Sequence, residues 1–592
     1  MRFVKSSTAM LALLFVACPA PAAQIAARSL EGLSAAPPVC TDSFDFVVCG
    51  DSRSAELVEL PKVFYTMISE WNALKPAFVV DVGDLILGGP VPELDAMWSE
   101  FEKAVAGCNA PFFPVAGNHD VNPDPAVIKI YEDRIAPLVY SFPYGNSLFV
   151  ILNSQDGGAS RSPSAAQLEQ LKAFLRGSKA RHAFLFIHDP FFHLNWDRDW
   201  SSTAEAIKGF PVRAVFAGHE HMYRDCGVRD GVRYVITGGA GSEPSAPEEE
   251  GGFSHYLLVR VRGDEVAWSV MRPGAVFPED VITEVKVKAA RELQARLKCE
   301  EIDLPWGEKF DRTVAISLDN PFNEPLKSKL QWTTPEGWHV DPSESDYAAD
   351  PTATASMQFH VWADDAGATR FPVPVAATSV QPPDVNGPVE LRRPLAYVPT
   401  TTAVRAAQAV KVDGDLSEWS KAGSIPLTYP VGYDVADRED LSASVRLMWD
   451  DTHVYVAVEA NDNEFHQPFS GDIVWSADSV ELWLEESVWS FSLTAQGPQV
   501  FIDYAPGRHL ETVIRTVDLG VKRDGTHIAY EAAFPKQEVS QVRLEPGSSF
   551  RFSILVNDLD PSGPIKPRHY VELTPGAGSH FKCPMVKATL TE

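Results

Sequence analysis

Residues 45–272 alternate short apolar runs with segments of helical periodicity. The runs are five to seven residues long and read FVVCG, AFVVDVG, FFPVAG, LFVILN, AFLFIH, AVFAG, RYVITG and HYLLVRV. Runs of this length that end in Gly, Asn or His are typical of buried strands. Between the first two, Leu60, Phe64, Met67 and Trp71 recur at intervals of three and four, which predicts an amphipathic helix. Regular alternation of strands and helices predicts a layered α/β domain.

The pattern changes after residue 272. Residues 273–301 include VITEVKVKAARELQARLK and predict a connecting helix. Residues 302–385 carry short alternating strands broken by Pro, Gly and Asp, which predicts a β-sandwich of immunoglobulin type. After the linker QPPDVNGP, residues 400–592 are again all-β. We therefore expect a multidomain chain with an α/β domain followed by two all-β sandwich domains.

The first 23 residues predict a secretory signal peptide. Basic residues come first, then an apolar stretch too short for a membrane helix, then small residues. Cleavage is expected near Ala22 or Ala23, and lipid attachment at Cys18 is the alternative. We therefore expect an exported protein, whether periplasmic, extracellular or at the cell surface, without a transmembrane helix.

The net charge limits the expected binding partners, and the cysteine spacing limits the expected metal and disulfide sites. The chain of 592 residues has a formal net charge of −29, which disfavours nucleic acids and anionic lipids. An anionic substrate would need a local positive charge, and bound metal ions are one source. The six cysteines after Cys18 form no CxxC pair; export permits a disulfide, and Cys40 with Cys299 is one open possibility.

Polar residues follow the predicted strands of the first domain. Residues beyond the carboxyl ends of strands in an α/β sheet converge on one crevice, so we expect these side chains to meet. Carboxylate, amide and imidazole groups together suit Mn, Fe or Zn better than Ca. A glycine precedes most of them, and we expect it to let the backbone turn sharply: Gly50, Gly83, Gly117 and Gly218. The candidate ligands are Asp51, Asp84, Asn118, His188, His219 and His221, and His119 directly follows Asn118 in the sequence.

The same motifs resemble those of the calcineurin-like metallophosphoesterase family. They are GD ending at Asp51, GD ending at Asp84, GNHD at 117–120, His188 in HDPFF, and GHEH at 218–221. The resemblance covers residues 45–272 and implies an α/β/β/α layered sandwich. It also implies two divalent or trivalent metal ions and hydrolysis of phosphate mono- or diesters by attack of a metal-bound hydroxide.

The resemblance implies a role for each motif residue. Asp84 would bridge the two metal ions. His119 would stabilise the transition state or protonate the leaving oxygen. Asp120 would either orient His119 or cap a turn, and both readings stay open. The other ligands would divide between the ions, with Asp51 and His221 on one and Asn118, His188 and His219 on the other.

Arg53 departs from the family pattern. The family has a histidine ligand two residues after the first aspartate, whereas arginine stays protonated and offers no lone pair. Three interpretations stay open. Water fills the vacant ligand position, Arg53 contacts the phosphoryl oxygens of the substrate, or Arg53 forms a salt bridge with a nearby acid.

Further candidates surround the crevice. Asn153 ends another predicted strand and is a candidate substrate-binding residue. The loop 193–200, HLNWDRDW, is a candidate lid because it places two tryptophans near the phosphate site. Five more residues lie in predicted loops. They either form the rim of the crevice or are ordinary solvated residues: Arg161, His193, Trp196, Asp197 and His255.

The stretch 400–592 resembles the family 9 carbohydrate-binding module. The similarity lies in VDGDLSEW, LMWDDTHVYVAVEANDNEF, DIVWSADSVELWL, AYEAAFP and ILVNDLD. It implies a β-sandwich that binds a polysaccharide or glycan through aromatic rings. Acidic turns, at Asp413 with Asp415 and at Asp462 with Glu464, either hold calcium or serve solubility. The available aromatic residues are Trp449, Tyr455, Trp475, Trp483 and Trp489.

Two functions follow from these patterns. The first is an exported, metal-dependent hydrolase of phosphate mono- or diesters. The second is a non-catalytic carbohydrate- or surface-binding protein with a degenerate phosphoesterase domain. Retention of His119 favours the first, because a degenerate site has no need of a residue that acts on the transition state.

Overall fold

A computed structural model describes most of the chain. The described residues are 24–35, 37–38, 40–54, 58–156, 163–193, 200–364, 371–431, 441–471, 473–506, 514–559, 569–579 and 583–592. They divide into two compact units. The first comprises the described residues up to Glu292 together with Gln381–Val389, and the second comprises Leu293–Val380 and the described residues from Glu390 onward.

The first unit has two six-stranded sheets. Their strand orders are β12-β11-β10-β1-β2-β3 and β4-β5-β6-β7-β9-β8. The helices are α1 Ile25–Ala35, α2 Lys62–Leu74, α3 Val91–Ala106, α4 Pro125–Arg134, α5 Ala165–Gly177, α6 Ser201–Ile207 and α7 Glu284–Gln294. The strands are β1 Ser43–Cys49, β2 Val79–Asp81, β3 Phe112–Pro114, β4 Tyr140–Tyr144, β5 Ser147–Ile151, β6 His182–Phe186, β7 Val212–Ala217, β8 Tyr223–Arg229, β9 Val232–Thr237, β10 Tyr256–Arg262, β11 Glu265–Arg272 and β12 Ala275–Pro278.

Aromatic side chains join the two sheets face to face. The ring of Phe149 on β5 lies 5.2 Å from that of Phe46 on β1 and 4.9 Å from that of Phe78. On the outer face of the first sheet, Trp71 of α2 packs edge-on against Tyr256 of β10 at 5.7 Å. Leucines of α5 belong to the apolar cluster on the outer side of the second sheet. The layers therefore run helix, sheet, sheet, helix, which confirms the predicted architecture.

Parallel pairing brings the polar strand ends together. In the first sheet β1, β2 and β3 run parallel, and in the second β5, β6, β7 and β9 do the same. Their carboxyl ends therefore lie at one edge of each sheet. Since the sheets stack face to face, the two edges meet at the top of the aromatic core.

Two segments differ from the predicted elements. Helix α1 was not predicted; it lies against β3, where the Ser29 hydroxyl donates to the Phe112 carbonyl and accepts from the Phe112 N–H, both at 2.8 Å. The connecting helix is shorter than 273–301. Residues before it form β12, because Pro273-Gly274 makes a turn and Pro278 is a poor helix residue, and residues after it form β13 (Leu297–Cys299).

The second unit begins with two four-stranded sheets. Their orders are β13-β15-β19-β17 and β18-β16-β20-β21. Burial alternates along β19, and the Trp332 ring of β16 lies 5.5 Å from Phe359 of β19, so the sheets pack face to face as in the predicted sandwich. The strands are β14 Ile302–Pro305, β15 Asp311–Asp319, β16 Leu326–Thr333, β17 Trp338–Asp341, β18 Glu344–Ala349, β19 Thr354–Ala363, β20 Val375–Val380 and β21 Val389–Pro394.

The remaining strands form one hydrogen-bonded network that also includes β14. Its main order is β29-β28-β27-β32-β34-β22-β25-β26-β31-β30. The two ends of this order face each other, because Trp489 of β28 lies 5.3 Å from Phe534 of β31. The network is therefore a β-sandwich. Its strands are β22 Tyr397–Arg405, β23 Ile425–Pro426, β24 Tyr429–Val431, β25 Leu441–Trp449, β26 His453–Asp462, β27 Ser479–Leu484, β28 Ser487–Thr494, β29 Gly497–Tyr504, β30 Asp518–Asp524, β31 His527–Pro535, β32 Ser549–Asp558, β33 His569–Glu572 and β34 Val586–Thr591.

Candidate functional site

The predicted ligands meet at the strand ends of the first unit. Asp84 Oδ1 lies 3.2 Å from His188 Nε2. Asn118 Oδ1 lies 3.1 Å from His188 Nε2 and 2.8 Å from His219 Nδ1. One ligand atom from each of Asp84, His188 and His219 falls within 4.8 Å of the others. These three residues and Asn118 form one group of potential metal ligands, which we call the histidine-rich group.

A second group of potential ligands shares Asp84 with the first. It consists of Asp51, Asp84 and His221, whose ligand atoms also lie within 4.8 Å of one another. His221 Nε2 is 3.5 Å from Asp51 Oδ1. We call these three residues the aspartate-rich group. The two clusters contain the same residues as the two sets that the family resemblance implies, with Asp84 common to both, and their role as metal ligands stays a prediction.

Backbone carbonyls fix the proton on three of the histidine rings. A carbonyl only accepts, so each ring places its N–H at Nδ1 and turns the Nε2 lone pair toward the site. This is the tautomer that a metal-ligating histidine needs. The pairs are His188 with Val82 O (3.0 Å), His119 with Leu87 O (2.6 Å) and His221 with Glu243 O (2.7 Å).

The backbone at the ligands is strained. Left-handed φ angles of +59°, +58° and +65° occur at Asp51, Asp84 and His219. Of the glycines expected to turn the chain, Gly83 does so, with φ of +106°. Two others act by leaving space, because a Cβ would lie 2.2 Å from Asp84 Oδ1 at Gly117 and 2.4 Å from Asp51 Oδ2 at Gly218. Strain of this kind persists only where the surrounding structure enforces it.

Burial and neighbouring charges act in opposite directions on the two carboxylates. Burial raises the pKa of Asp51 well above its usual range, and the charge of Asp84 adds to this effect. Burial also favours the neutral form of Asp84, but the interactions with His188, His119 and Arg53 outweigh it and lower the pKa to about 2. Two buried carboxylates this close ionise together only beside positive charge, which a bound cation would supply.

Arg53 lies against the shared carboxylate. Its Nε donates to Asp84 Oδ2 at 3.3 Å, and its Nη1 donates to the Ser54 carbonyl at 3.3 Å. The residue is 9% exposed. Of the three interpretations of this arginine, the structure contains the salt bridge with a nearby acid.

Asp120 binds backbone rather than the His119 ring. Its Oδ1 accepts from the N–H groups of Leu85 and Ile86, and its Oδ2 accepts from those of Asp84 and Gly117, at 2.8 to 3.2 Å. This geometry supports the turn-capping interpretation, because the carboxylate holds the Asp84 loop against the next strand end. A catalytic role for Asp120 stays a prediction.

Asn153 is linked to His219 through Gln155 and Asp189. Its Oδ1 accepts from the Gln155 N–H at 2.9 Å, and Gln155 Nε2 donates to Asp189 Oδ2 at 3.2 Å. Asp189 Oδ1 is 3.4 Å from His219 Nδ1. The sequence analysis missed Asp189, although its place directly after the lone histidine of HDPFF was a signal. A substrate contact by Asn153 stays a prediction.

Two histidines considered for the rim are buried instead. His193 lies between two glutamates, with Nδ1 2.7 Å from Glu220 Oε1 and Nε2 3.3 Å from Glu284 Oε1. Burial disfavours its charge, but these hydrogen bonds prevail and raise its pKa to about 9. His255 is fully buried, which lowers its pKa to about 4, and one ring nitrogen lies 2.8 Å from the Phe253 carbonyl.

Several predicted features lie outside the described residues. They are the signal peptide with Cys18, residues 194–199 of the candidate lid, and the rim candidates Arg161, Trp196 and Asp197. Trp200, the second tryptophan of that loop, is buried in the core below the second sheet. Among described residues, no helix is long and apolar enough to cross a membrane. Each described cysteine is free, and a disulfide between Cys40 and Cys299, which belong to different units, stays a prediction.

Most aromatic candidates of the last domain belong to its core. Trp475 is partly exposed, whereas the other four are at most 5% exposed, namely Trp449, Tyr455, Trp483 and Trp489. At the first acidic turn, Asp413 and Asp415 pair with lysines. At the second, Asp462 is buried with Asp478 and Asp558, and burial beside these carboxylates raises the pKa of Asp478 to about 9.

Comparison with known proteins identifies two domains. Residues 44–223 match the family model for calcineurin-like phosphoesterases, and residues 412–566 match the model for carbohydrate family 9 binding domain-like proteins. A search of curated proteins found no match.

Similar solved structures include two of a family 9 carbohydrate-binding module from Caldicellulosiruptor kristjanssonii. The complex with cellotriose is 17% identical and covers 32% of this chain and 94% of that one, with a TM-score of 0.26. The complex with glucose is 16% identical, with 32% and 96% coverage and the same score. The E. coli chaperone DraB is 10% identical, with 47% and 98% coverage and a TM-score of 0.12. The two family models alone give the conclusion: the chain is a multidomain protein with a calcineurin-like phosphoesterase domain at residues 44–223, followed by β-rich domains that include a carbohydrate family 9 binding domain-like region at residues 412–566.

Proposed function

We propose that the protein is an exported, metal-dependent phosphoesterase that hydrolyses phosphate mono- or diesters. The observation that carries this proposal is the pair of ligand groups that share Asp84, with His119 beside them. Imidazole and carboxylate donors within 4.8 Å of one another, with the Asn118 amide oxygen 2.8–3.1 Å from two of the imidazoles, suit a first-row cation such as Mn, Fe or Zn. A metal ion held there would polarise the phosphoryl oxygens and acidify a bound water.

The residues around the ligands prepare the site for this chemistry. His188 and His221 keep their protons on Nδ1, so both present a lone pair at Nε2 without a change of tautomer. Asp120 holds the backbone of Asp84 in place through four N–H groups. The ligands are therefore positioned before a cation binds.

His119 supports proton transfer to the leaving group. Its Nδ1–H donates to the Leu87 carbonyl, so a further proton would be carried at Nε2, which lies 3.9 Å from Asp84 Oδ2. The side chain is 32% exposed, and a bound ester could reach it. Burial lowers the pKa of His119, which makes the protonated ring a stronger acid toward a leaving oxygen.

Release of nitrophenolate from nitrophenyl phosphate and bis-nitrophenyl phosphate tests the proposal. The full-length protein with added Mn²⁺ should turn over at least one ester, and His188→Asn should reduce the rate about 100-fold or more, because even indirect partners of a metal cost 10- to 100-fold. His360→Asn, a surface histidine of β19, is the matched control and should retain the rate. Equal loss in both variants, or no turnover with several metals, would contradict the proposal.

We also propose that the last domain binds a carbohydrate. The support is the match to the family 9 binding-domain model and the partly exposed ring of Trp475. The proposed export is based on the sequence pattern of residues 1–23. The mass of the N-terminal peptide of the mature protein would distinguish cleavage near Ala22 or Ala23 from lipid attachment at Cys18.

A further inference from the structure

Arg53 already supplies one positive charge inside the aspartate-rich group. Its guanidinium is 9% exposed and contacts Asp84 Oδ2 through Nε at 3.3 Å. Arginine stays protonated at any pH at which the protein is folded. A metal ion bound to Asp51, Asp84 and His221 would therefore lie beside a fixed cation in a buried site.

The two oxygens of Asp84 face different neighbours. Oδ1 lies 3.2 Å from His188 Nε2 and accepts the His119 backbone N–H at 3.0 Å, so it faces the histidine-rich group. Oδ2 is the atom that Arg53 contacts, and the His119 ring lies 3.9 Å from it. One oxygen is thus oriented toward a metal site, whereas the other is already paired with a guanidinium.

The backbone keeps Arg53 in this position. Its N–H donates to the Asp84 carbonyl at 3.2 Å, and its own carbonyl accepts from the Ser242 hydroxyl at 3.1 Å. Nη1 is held by the Ser54 carbonyl. Both backbone groups of Arg53 are therefore hydrogen-bonded. The guanidinium could move away from Asp84 only by a change of side-chain rotamer, and that change would break the ion pair.

The donor atoms of the histidine-rich group lie close to one another. His188 and His219 bring their ring nitrogens to 3.2 Å of each other, and Asn118 Oδ1 lies between 2.8 and 3.1 Å from both. Two imidazoles, one amide oxygen and Asp84 Oδ1 make a four-donor set for a divalent ion. The guanidinium of Arg53 thus contacts the other oxygen of Asp84, Oδ2, and not the oxygen that belongs to this donor set.

We propose that Arg53 takes the place of one metal ion, so that the protein binds a single divalent cation tightly, in the histidine-rich group. The guanidinium then serves as the second positive charge of the site in place of a metal, and guanidinium N–H groups are suitable donors to a phosphoryl oxygen. This inference rests on the proposed function, because it concerns the cation that the same site would use.

Metal titration tests this inference without relying on turnover. Full-length protein is stripped with a chelator and titrated with Mn²⁺ by calorimetry, and bound metal is counted after dialysis. The wild type should hold one ion per chain, whereas Arg53→His should gain a second site at least about tenfold tighter than any second site of the wild type. Arg53→Leu, which removes the charge without adding a donor atom, should gain a weaker second site. Arg233→Leu, at an arginine paired with Asp225 and Glu279, is the matched control and should keep one ion.

A spectroscopic readout adds a second criterion. The Mn²⁺-loaded wild type should give the electron paramagnetic resonance signal of an isolated ion, and Arg53→His should give that of two magnetically coupled ions. Two wild-type sites of similar affinity would overturn the inference and leave the proposed function standing, as would one site in both Arg53 variants. Absence of any bound metal in the wild type would instead overturn the proposed function.

Discussion

Replacing Asp120 by asparagine should loosen the loop that carries the shared ligand Asp84. Each carboxylate oxygen of Asp120 accepts two backbone N–H groups. An asparagine side chain has one oxygen and one NH₂ group, and in either orientation the NH₂ group faces two N–H donors. Two of the four hydrogen bonds are therefore lost and replaced by contacts between donors.

The cost follows from the number and type of bonds lost. A hydrogen bond to a charged group contributes about 1.5–3 kcal/mol, so two of them amount to about 3–6 kcal/mol of local stability. Because every 1.4 kcal/mol is about a factor of ten in an equilibrium constant, local opening should become about 10²- to 10⁴-fold more frequent. The affected amides belong to Asp84, Leu85, Ile86 and Gly117.

Amide hydrogen exchange followed by mass spectrometry measures this opening directly. Peptides that cover residues 84–86 and 117 should exchange faster in Asp120→Asn, with a chelator present in both samples. The control is Asp124→Asn, where the carboxylate accepts one N–H, from Ala126 at 2.8 Å, as the N-cap of α4. Asparagine caps a helix nearly as well, so this variant should leave the exchange unchanged. Acceleration below about tenfold in Asp120→Asn would refute the four-bond account of the loop.

Two further outcomes are expected. The raised pKa of His193, about 9 against an ordinary 6.5, means that its charge stabilises the fold fully below pH 6.5 and that this contribution is lost as the pH rises through 9. Thermal unfolding midpoints from pH 6 to 10 should therefore fall more steeply for the wild type than for His193→Gln, and parallel curves would contradict this. In the last domain, Trp475→Ala should weaken retention on insoluble polysaccharides, whereas Trp362→Ala, at a partly exposed tryptophan of β19, should not; equal retention of both would remove Trp475 from the binding surface.

The sequence allowed prediction of the features that depend on short-range patterns. Apolar runs and helical spacing gave the layered α/β fold, and the order of motifs gave the residues that converge at the strand ends. Such features follow from local periodicity and from the rule that parallel strands present their carboxyl ends together. The alternating strands after residue 302 gave the two sandwiches for the same reason.

Features set by distant contacts could not be predicted in this way. Whether Arg53 pairs with an acid, binds substrate or faces water depends on the position of Asp84, thirty-one residues away. The sequence around His193 predicts an exposed loop residue. Its burial depends on Glu220 and Glu284, which are distant in the sequence. The aromatic residues of the last domain alternate along strands, and sequence spacing does not tell which face of a strand is the core.

Helix α1 has a consequence for the behaviour of the first sheet in solution. Strand β3 ends that sheet, and the hydroxyl of Ser29 satisfies both the N–H and the carbonyl of Phe112 on its outer side. An uncovered edge strand is a template for pairing with other chains. A recombinant version that starts at Ser43, the first residue of β1, would keep every ligand of the site but expose this edge to intermolecular aggregation. The short helix therefore protects the edge strand from pairing with other chains. A recombinant form of the domain should begin upstream of Ile25.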